Sequence, residues 1–226
     1  MAKEKDTNIQ KKDGIFQKGV VEGHANPKNV IRKKDGIFWK GDELGYVDKD
    51  KKIRKKDGLF WKGDEVGQIK DVKAFDKDGV FFSGDEFGYV DKDGNIRQKD
   101  GIFWRGRIIG KVHGNNYEGA LGFYVLRFKA IEEKFDALKK EYDIDKNKGK
   151  FLFKIQNMLE DVSKADALGD FEKLIKNLKL LESESIEFLN SNLRIIERLV
   201  NKAEEMSRST DWKATGEAFK ALDIEW

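Results

Sequence analysis

The first half of the chain repeats a pattern of short apolar runs separated by turn signals. At spacings of 22, 22, 21 and 22 residues, the copies start at Ile9, Ile31, Ile53, Ala74 and Ile96. The copies share the turn signals K-D-G, G-D-E and D-K-D-G. Asp-Gly favours a hairpin turn because glycine adopts a positive φ without steric cost. The runs between the turns are rich in β-branched and aromatic residues, so the pattern predicts short β-strands over residues 9–117.

Strand pairing follows from the turns and divides the apolar residues between two faces. If Asp42-Glu43 form a loop, Phe38 lies opposite Val47 and Trp39 opposite Tyr46. If residues 92–94 form a three-residue loop, Val90 lies opposite Ile96. This register places the Val and Ile columns on one face together with a phenylalanine column, which consists of Phe16, Phe38, Phe60, Phe81 and Phe103. The opposite face carries an aromatic column that consists of Trp39, Trp61, Phe82 and Trp104. This second column is either ladder packing or a contact surface, so its four members are candidate partner-binding residues.

Two arrangements of the strands are consistent with a period of about 22 residues. One is a twisted meander of hairpins, and the alternative is a β-solenoid with one coil per repeat. The hairpin-type turns favour the meander. The predicted fold class is α+β, with a five-copy β-repeat domain over residues 1–117 and an α-helical bundle over residues 118–226.

The repeat carries a recurring phrase that is seen in other proteins. G-Y-V-D-x-D-G-x-I-R is present at residues 88–97. On this phrase the repeat resembles the glycine-punctuated β-hairpin repeats of bacterial proteins. Its period is also similar to that of membrane-occupation-and-recognition-nexus repeats. Neither resemblance implies a ligand.

After Gly114 the apolar residues are spaced three and four apart, which is typical of amphipathic helices. One stripe predicts a helix over residues 120–142, and a shorter helix spans Phe151 to Val162. A third helical region is expected to begin at Asp170 as its N-cap. A last helix is expected after a cap at Ser209 or Thr210.

The third helical region carries two stripes that differ in phase. The step from Leu181 to Ile186 is five residues, which predicts either a phase slip or a break into two helices. The second stripe has the spacing of a coiled-coil seam and consists of Ile186, Leu189, Leu193, Ile196, Val200 and Ala203. Such a stripe requires a facing helix, and the first two helices are expected to supply it.

The segment from Ile196 to Trp226 carries the motif Asp211-Trp212-Lys213, followed by Leu222 and Trp226. On these residues it resembles a bacterial helical domain of unknown function, number three hundred and forty-nine in its series. The resemblance implies a bacterial origin, a helical bundle and no assigned activity. It also implies a further helix after the final tryptophan.

The last helix is therefore expected to lack its usual cover. Its apolar side contains Trp212, Phe219, Leu222 and Trp226. Exposed aromatic patches tend to mark interfaces. Trp212, Phe219 and Trp226 are thus candidate partner-binding residues, and the sequence predicts self-association or capture of a partner helix at this end.

Charge is distributed unevenly, with a net charge of +6 over residues 1–117 and −3 over residues 118–226. Basic clusters recur once per copy, and the clearest consist of Arg32, Lys33, Lys34, Arg54, Lys55 and Lys56. A basic stripe beside aromatic residues suits a polyanion, so a nucleic-acid- or ribosome-associated protein is an alternative function. Lysines beside Asp-Gly turns are also ordinary protection of strand edges, and acidic residues interleave this stripe.

The residue types exclude several chemistries. Cysteine is absent, and only His24 and His113 are histidines. Disulfides, cysteine nucleophiles and thiolate metal sites are therefore excluded. The D-K-D-G stretches at 76–79 and 91–94 lack the spacing of a calcium-binding hand. The sequence predicts no catalytic residues, no metal and no cofactor, and therefore a protein that is not an enzyme.

Apolar runs in the chain stay below the roughly 18 residues of a membrane span. The polar start lacks the apolar core of a secretory signal, so a cytoplasmic location is predicted. The functional prediction is a non-catalytic interaction or adaptor protein with a protein partner. A glycan-binding module that uses the Trp column is a second alternative.

Overall fold

The computed structural model describes residues 6–11, 20–34, 41–56, 63–77, 84–99, 106–208 and 211–225, without the side chains of 212, 219 and 221–225. The chain divides into two compact units. The first consists of Met1–Ala137 with Val162–Leu174, and the second of Leu138–Asp161 with Ile175–Trp226.

A sheet of ten strands, counted over the described ranges, forms the first unit's framework. The strands are β1 (Thr7–Lys11), β2 (Val21–Ala25), β3 (Val30–Lys33), β4 (Glu43–Val47), β5 (Lys52–Lys55), β6 (Glu65–Lys70), β7 (Lys73–Phe75), β8 (Glu86–Val90), β9 (Asn95–Gln98) and β10 (Ile108–His113). Strands that follow each other in the chain pair antiparallel, and β1 also pairs with β10. The sheet is therefore a closed barrel.

The predicted arrangement of the β part is wrong. The strands form one closed barrel, and neither an open five-copy hairpin meander nor a solenoid is present in the described residues. Twist accumulates across a sheet of this width, and closure satisfies the edge strands that an open meander would expose. The α+β composition fits the structure. The predicted pairing of Val90 with Ile96 is confirmed by the register of β8 and β9. Phe38, the predicted partner of Val47, lies outside the described residues, and Val47 pairs with Ile53 of β5.

One turn explains the single 21-residue spacing in the sequence. Strands β6 and β7 are joined by two residues, Asp71 and Val72, whose φ angles are 48° and 56°. The corresponding connection between β4 and β5 runs over residues 48–51. The third copy, residues 53–73, is therefore one residue shorter because its hairpin uses a two-residue turn with positive φ at both positions.

The residues that begin each repeat lie inside the barrel. Ile9, Ile31, Ile53, Ala74 and Ile96 are each 0% exposed. They stand on β1, β3, β5, β7 and β9 and belong to a single core cluster. Each repeat in the sequence therefore corresponds to one pair of adjacent strands in the barrel.

Four α-helices occur in the described part of the chain: α1 (Tyr117–Ile144), α2 (Leu152–Lys164), α3 (Phe171–Ser207) and α4 (Trp212–Glu225). The predicted helices at 120–142 and 151–162 correspond to α1 and α2. Asp170 caps α3 as predicted, because its Oδ1 accepts a hydrogen bond of 2.9 Å from the amide of Lys173. The predicted caps of the last helix, Ser209 and Thr210, lie outside the described residues, and Asp211 accepts from the amide of Ala214 at 3.1 Å.

Of the two alternatives for the third helical region, the structure shows a continuous helix. α3 runs through the five-residue step between its two stripes. At this step Ser185 is 0% exposed, and its hydroxyl donates to the carbonyl of Leu181 at 2.8 Å. A small polar side chain that bonds its own helix thus occupies the buried position between the stripes.

The first turns of α1 fill the interior of the barrel. Every residue from Gly119 to Leu126 is buried, and most belong to the same core cluster as the strands. The interior of a barrel widens with the number of strands, and about eight strands leave a space that side chains alone fill. A barrel of ten strands needs additional filling, and the charge-free stretch 119–126 of α1 supplies it.

Glycines on alternate strands make room for this helix. They recur at the repeat period and are Gly23, Gly45, Gly67, Gly88 and Gly110. A Cβ at Gly67 would lie 3.4 Å from Val125, and a Cβ at Gly110 would overlap the phenol of Tyr124. Additional carbons at Gly23 and Gly45 would meet Phe123 and Leu126.

The remaining glycine of this set, Gly88, faces the segment that precedes α3. A Cβ at Gly88 would lie 2.6 Å from Leu168, which is 0% exposed. The amide of Leu168 donates to the carbonyl of Tyr124 at 3.0 Å, and Arg107 pairs with Asp166 at 3.2 Å. Residues 165–170 thus complete the filling of the barrel beside α1.

Candidate interaction surfaces

Most of the predicted aromatic partner-binding residues cannot be placed. Trp39, Trp61, Phe82 and Trp104 lie outside the described residues, as does Trp226. Trp212 and Phe219 lie on α4, but their side chains are outside the description. The phenylalanine column of the repeats also falls outside the described ranges. These assignments stay predictions.

The six basic residues of the predicted polyanion stripe lie on and just after β3 and β5, on either side of β4. The guanidinium of Arg32 donates to Glu43 on β4 at 2.9 Å. Arg54 donates from its Nε to Asp48 at 2.8 Å, and Lys55 pairs with Glu133 of α1. The structure therefore does not gather these cations into one basic face, because carboxylates lie between them.

The other three residues of the predicted polyanion stripe differ from one another in exposure. Lys33 and Lys56 are exposed, and Lys34 is half-buried. Their amides take part in the sheet and its continuation; that of Lys56, for example, donates to the carbonyl of Leu44 at 3.0 Å. This placement agrees with ordinary solvated positions at the ends of strands.

The Asp-Lys-Asp turns are latched by their first aspartate. Oδ1 of Asp91 accepts from the amides of Asp93 and Asn95 at 3.0 and 2.9 Å. Its Oδ2 accepts from the Nε of Arg97 at 2.8 Å. Asp48 makes the same bonds with its own turn and with Arg54. Partial burial opposes ionisation, but the hydrogen bonds from Arg97 and Asn95 outweigh it and lower the pKa of Asp91 to about 2.

An open cavity of about 860 Å³ lies at the barrel mouth where α1 begins. Its polar residues bond one another. Asn116 caps α1 by accepting from the amide of Gly119 at 2.8 Å and donates to the carbonyl of Asn26 at 2.8 Å. Glu118 accepts from Lys51 at 2.6 Å and from Asn29 at 3.3 Å. These bonds fasten the helix to the short turns of the barrel.

Metal chemistry finds no support in the described residues, where no group of three or more acidic or histidine side chains could hold an ion. His24 faces Asn8 at 3.0 Å between its Nδ1 and Oδ1. Burial lowers the pKa of His24, although Asp6 opposes the shift. Over the ranges that can be described, no helix combines the length and apolar character required to cross a membrane.

An apolar face of α3 stands uncovered in the second unit. Five residues of the predicted seam are exposed, by 41%, 36%, 55%, 41% and 45%: Ile186, Leu189, Leu193, Ile196 and Val200. Every residue from Leu189 to Arg198 is exposed, whereas the next residue, Leu199, is buried. The expectation that the first two helices cover this stripe is wrong. We call these five residues the α3 stripe.

The earlier part of α3 shows what a covered face looks like in the same unit. Leu178 is 0% and Leu181 is 5% exposed, and Ile155 of α2 is 0% exposed. Tyr142 stacks edge-on against Phe151 at 5.4 Å, and its hydroxyl bonds Glu184 at 3.1 Å. Along the stripe the cover is only partial: Leu189 still lies beside Gly149, where a Cβ would be 2.5 Å from it, and Leu199 is 5% exposed.

The spacing of the stripe was the sequence signal for this surface. A regular seam predicts a facing helix, but it does not state which chain provides it. The sequence also predicts an interface on the aromatic side of the last helix, because that helix is expected to lack its usual cover. This prediction stays open, since those side chains lie outside the description, and the exposed apolar surface that the structure does describe is aliphatic and lies on α3.

Comparisons with protein-family models, with curated proteins and with solved structures give no match to this chain. The resemblances to the bacterial hairpin repeats and to the helical domain of unknown function therefore stay predictions. The surfaces described above carry the functional argument by themselves.

Proposed function

We propose that this chain is a non-catalytic interaction or adaptor protein that binds a macromolecular partner through the α3 stripe. The observation that carries the proposal is the exposure of five regularly spaced aliphatic residues on a helix of 37 residues. Helices in water gain most of their stability from the packing of an apolar face. A seam left in solvent therefore favours binding of another helix.

The barrel suits a supporting role in this function. Its interior is filled by α1 and by residues 165–170, so the space inside is occupied by the chain itself. Its outer surface carries cross-strand ion pairs such as Lys52–Glu65 at 2.8 Å and Lys73–Glu86 at 3.0 Å. Over the described residues the space for a ligand therefore lies at the mouth of the barrel, in the open cavity beside the start of α1, and not in its interior. The cytoplasmic location predicted from the sequence belongs to the same proposal.

The described contacts weigh against the nucleic-acid alternative. Arg32, Arg54 and Lys55 are each engaged by a carboxylate, which reduces the positive potential available to phosphates. The glycan-binding alternative depends on the Trp column, which lies outside the described residues. Neither alternative has a specific contact in its favour.

The proposed function is tested by affinity capture with the full-length chain, followed by identification of retained macromolecules. Three baits are compared: the unmodified chain, Leu193→Glu, and Leu180→Glu as a matched control. Leu180 is 58% exposed on the same helix but lies off the stripe. We expect a macromolecule that the unmodified chain and the control retain and that Leu193→Glu loses. Circular dichroism establishes that all three baits are equally helical. Equal retention by all three baits would contradict the proposal.

A further inference from the structure

We infer that residues 165–170 act as a strap that holds the barrel closed where its first strand meets its last, and that the barrel opens at this contact. We call the pairing of β1 with β10 the closing contact. The strap connects α2, which ends at Lys164, to α3, which begins at Phe171. Neither the strap nor the closing contact includes a residue of the α3 stripe, so this role is separate from the proposed function.

The closing contact differs from the other strand contacts of the barrel. Each other contact joins strands that follow one another in the chain. β1 and β10 are the first and the last strand, and they pair over four positions, from Asn8 opposite His113 to Lys11 opposite Gly110. The entropy cost of closing a loop rises with the number of residues inside it. The closing contact therefore has the largest entropy cost of any strand contact in the barrel, and additional bonds have their greatest effect there.

One carboxylate of the strap bridges the two sides of the closing contact. Oδ2 of Asp166 lies 3.7 Å from Nζ of Lys11, the last residue of β1. Oδ1 lies 3.2 Å from the guanidinium of Arg107, the residue before β10, and Arg107 also donates to the carbonyl oxygen of Ala165 at 2.8 Å. The side chain of Asp166 is only 12% exposed, so salt screens these ion pairs less than pairs at an open surface. Separation of β1 from β10 would remove Asp166 from at least one of its two cations.

A second bridge lies inside the barrel and anchors the strap. Tyr124 of α1 is 0% exposed. Its hydroxyl oxygen lies 3.3 Å from the carbonyl oxygen of Gln10 on β1 and 3.4 Å from that of Ile109 on β10, and its one proton is shared between these two acceptors. The carbonyl oxygen of the same tyrosine accepts a hydrogen bond of 3.0 Å from the amide of Leu168 in the strap. Tyr124 thus links the strap to both strands of the closing contact.

These bonds couple closure of the barrel to the filling of its interior. Asp166 and Tyr124 both follow the last strand in the chain, so β1 and β10 meet them only when α1 and the strap are in place. Without the two bridges, four paired positions alone hold the closing contact. Local opening starts where few bonds resist it. We therefore expect β1 and β10 to separate while hairpins of consecutive strands stay paired.

Hydrogen–deuterium exchange of the full chain tests the strap. Asp166→Asn keeps the shape of the side chain and removes its charge, so amides of β1 and β10 should exchange about 2- to 10-fold faster, as expected for the loss of one net hydrogen bond. Amides of β4 to β7 should keep their rates. Glu86→Gln is the matched control, because Glu86 pairs with Lys73 at 3.0 Å across the consecutive strands β7 and β8. This control should leave β1 and β10 unchanged. Equal acceleration in all strands, or none in β1 and β10, would overturn the inference.

Two further variants separate opening at the closing contact from a general loss of stability. Tyr124→Phe removes the hydroxyl and keeps the buried ring, and it should accelerate exchange in the same two strands. Asn8→Cys combined with His113→Cys places a disulfide across the closing contact, in a chain that contains no other cysteine. In this oxidised protein Asp166→Asn should no longer accelerate exchange in β1 and β10, and reduction should restore the acceleration. Acceleration that persists in the oxidised protein would show that Asp166 acts elsewhere and would overturn the inference.

Discussion

Two helical stretches of this chain contain similar numbers of aliphatic residues and have opposite environments. Residues 119–126 of α1, G-A-L-G-F-Y-V-L, are buried on every side. Residues 189–198 of α3, L-N-S-N-L-R-I-I-E-R, are all exposed. The first stretch has no charged or amide side chain, whereas the second mixes them with a regular apolar seam. A helix that is apolar all round needs an enclosure, and one with a single seam needs one partner.

The difference lies in what surrounds each helix. The barrel offers α1 a ring of inward isoleucines and glycines, so each face of that helix meets a strand. The seam of α3 has no such surface within its own unit. Burial of apolar side chains therefore stabilises the first stretch within its own chain. The second stretch gains the same stabilisation only when a partner binds to it.

The largest effect is expected from shortening a buried side chain inside the barrel. Phe123 is 2% exposed and packs edge-on against Tyr124 at 5.3 Å. Phe123→Ala should reduce the free energy of unfolding by about 3–5 kcal/mol, because it leaves a cavity beside Gly23. Urea denaturation measures the change. Phe153→Ala is the control, since Phe153 is 73% exposed and should change stability little. Equal losses from both variants would show that α1 is not the core of the barrel.

The next largest effect is expected from adding a methyl group to the packed interior of the barrel. An added methyl at Gly45 would overlap the carbonyl oxygen of Arg54 and lie 3.0 Å from Leu126. Gly45→Ala should therefore cost about 1–3 kcal/mol, since backbone cannot move aside cheaply. Gly216→Ala on α4 has nothing within 4 Å of its new carbon and should be neutral or stabilising. Thermal and urea unfolding of the pair distinguish close packing from a general effect of glycine replacement.

The strands and helices could largely be predicted from the sequence, but closure of the barrel could not. Turn signals and alternation report strands locally, and the pairing of Val90 with Ile96 follows from one turn. Whether β1 meets β10 depends on accumulated twist and on a filler for the interior. The charge-free stretch 119–126 and the periodic glycines were the available signals. Each of these two signals indicates a closed barrel only when the helix and the strands are considered together.

The candidate surface could be predicted in part. The spacing of the seam on α3 was visible, but its exposure depends on where the core of the second unit ends. Leu181, Ser185 and Leu199 are buried on α3, whereas Ile186 is 41% exposed, so the stripe lies beside the buried face and not on it. The basic stripe was visible too, but a linear sequence does not show that Glu43 lies opposite Arg32. Cross-strand neighbours are set by register, which is a property of the fold.

A smaller effect is expected from the turn latches of the barrel under acid. Hydrogen bonds from Arg97 and Asn95 lower the pKa of Asp91 to about 2, against the opposing effect of burial. A lowered folded-state pKa stabilises the protein above the ordinary aspartate pKa of about 4, and this stabilisation is lost as the pH falls toward 2. The contribution is on the order of 1 kcal/mol after allowance for solvent screening. Asp91→Asn should flatten the urea stability profile between pH 4 and 2, and an unchanged slope would contradict the latch.

The smallest effect is expected from shortening an exposed side chain of α3. This variant directly tests the comparison between the buried and the exposed helical stretch. Leu193 is 55% exposed, so Leu193→Ala removes little buried area from a single chain. At dilute concentrations the free energy of unfolding should change by less than about 0.5 kcal/mol. Leu121 of α1 is 0% exposed, and Leu121→Ala should cost about 2–5 kcal/mol in the same assay. A large effect of Leu193→Ala would mean that this leucine is already covered within its own chain.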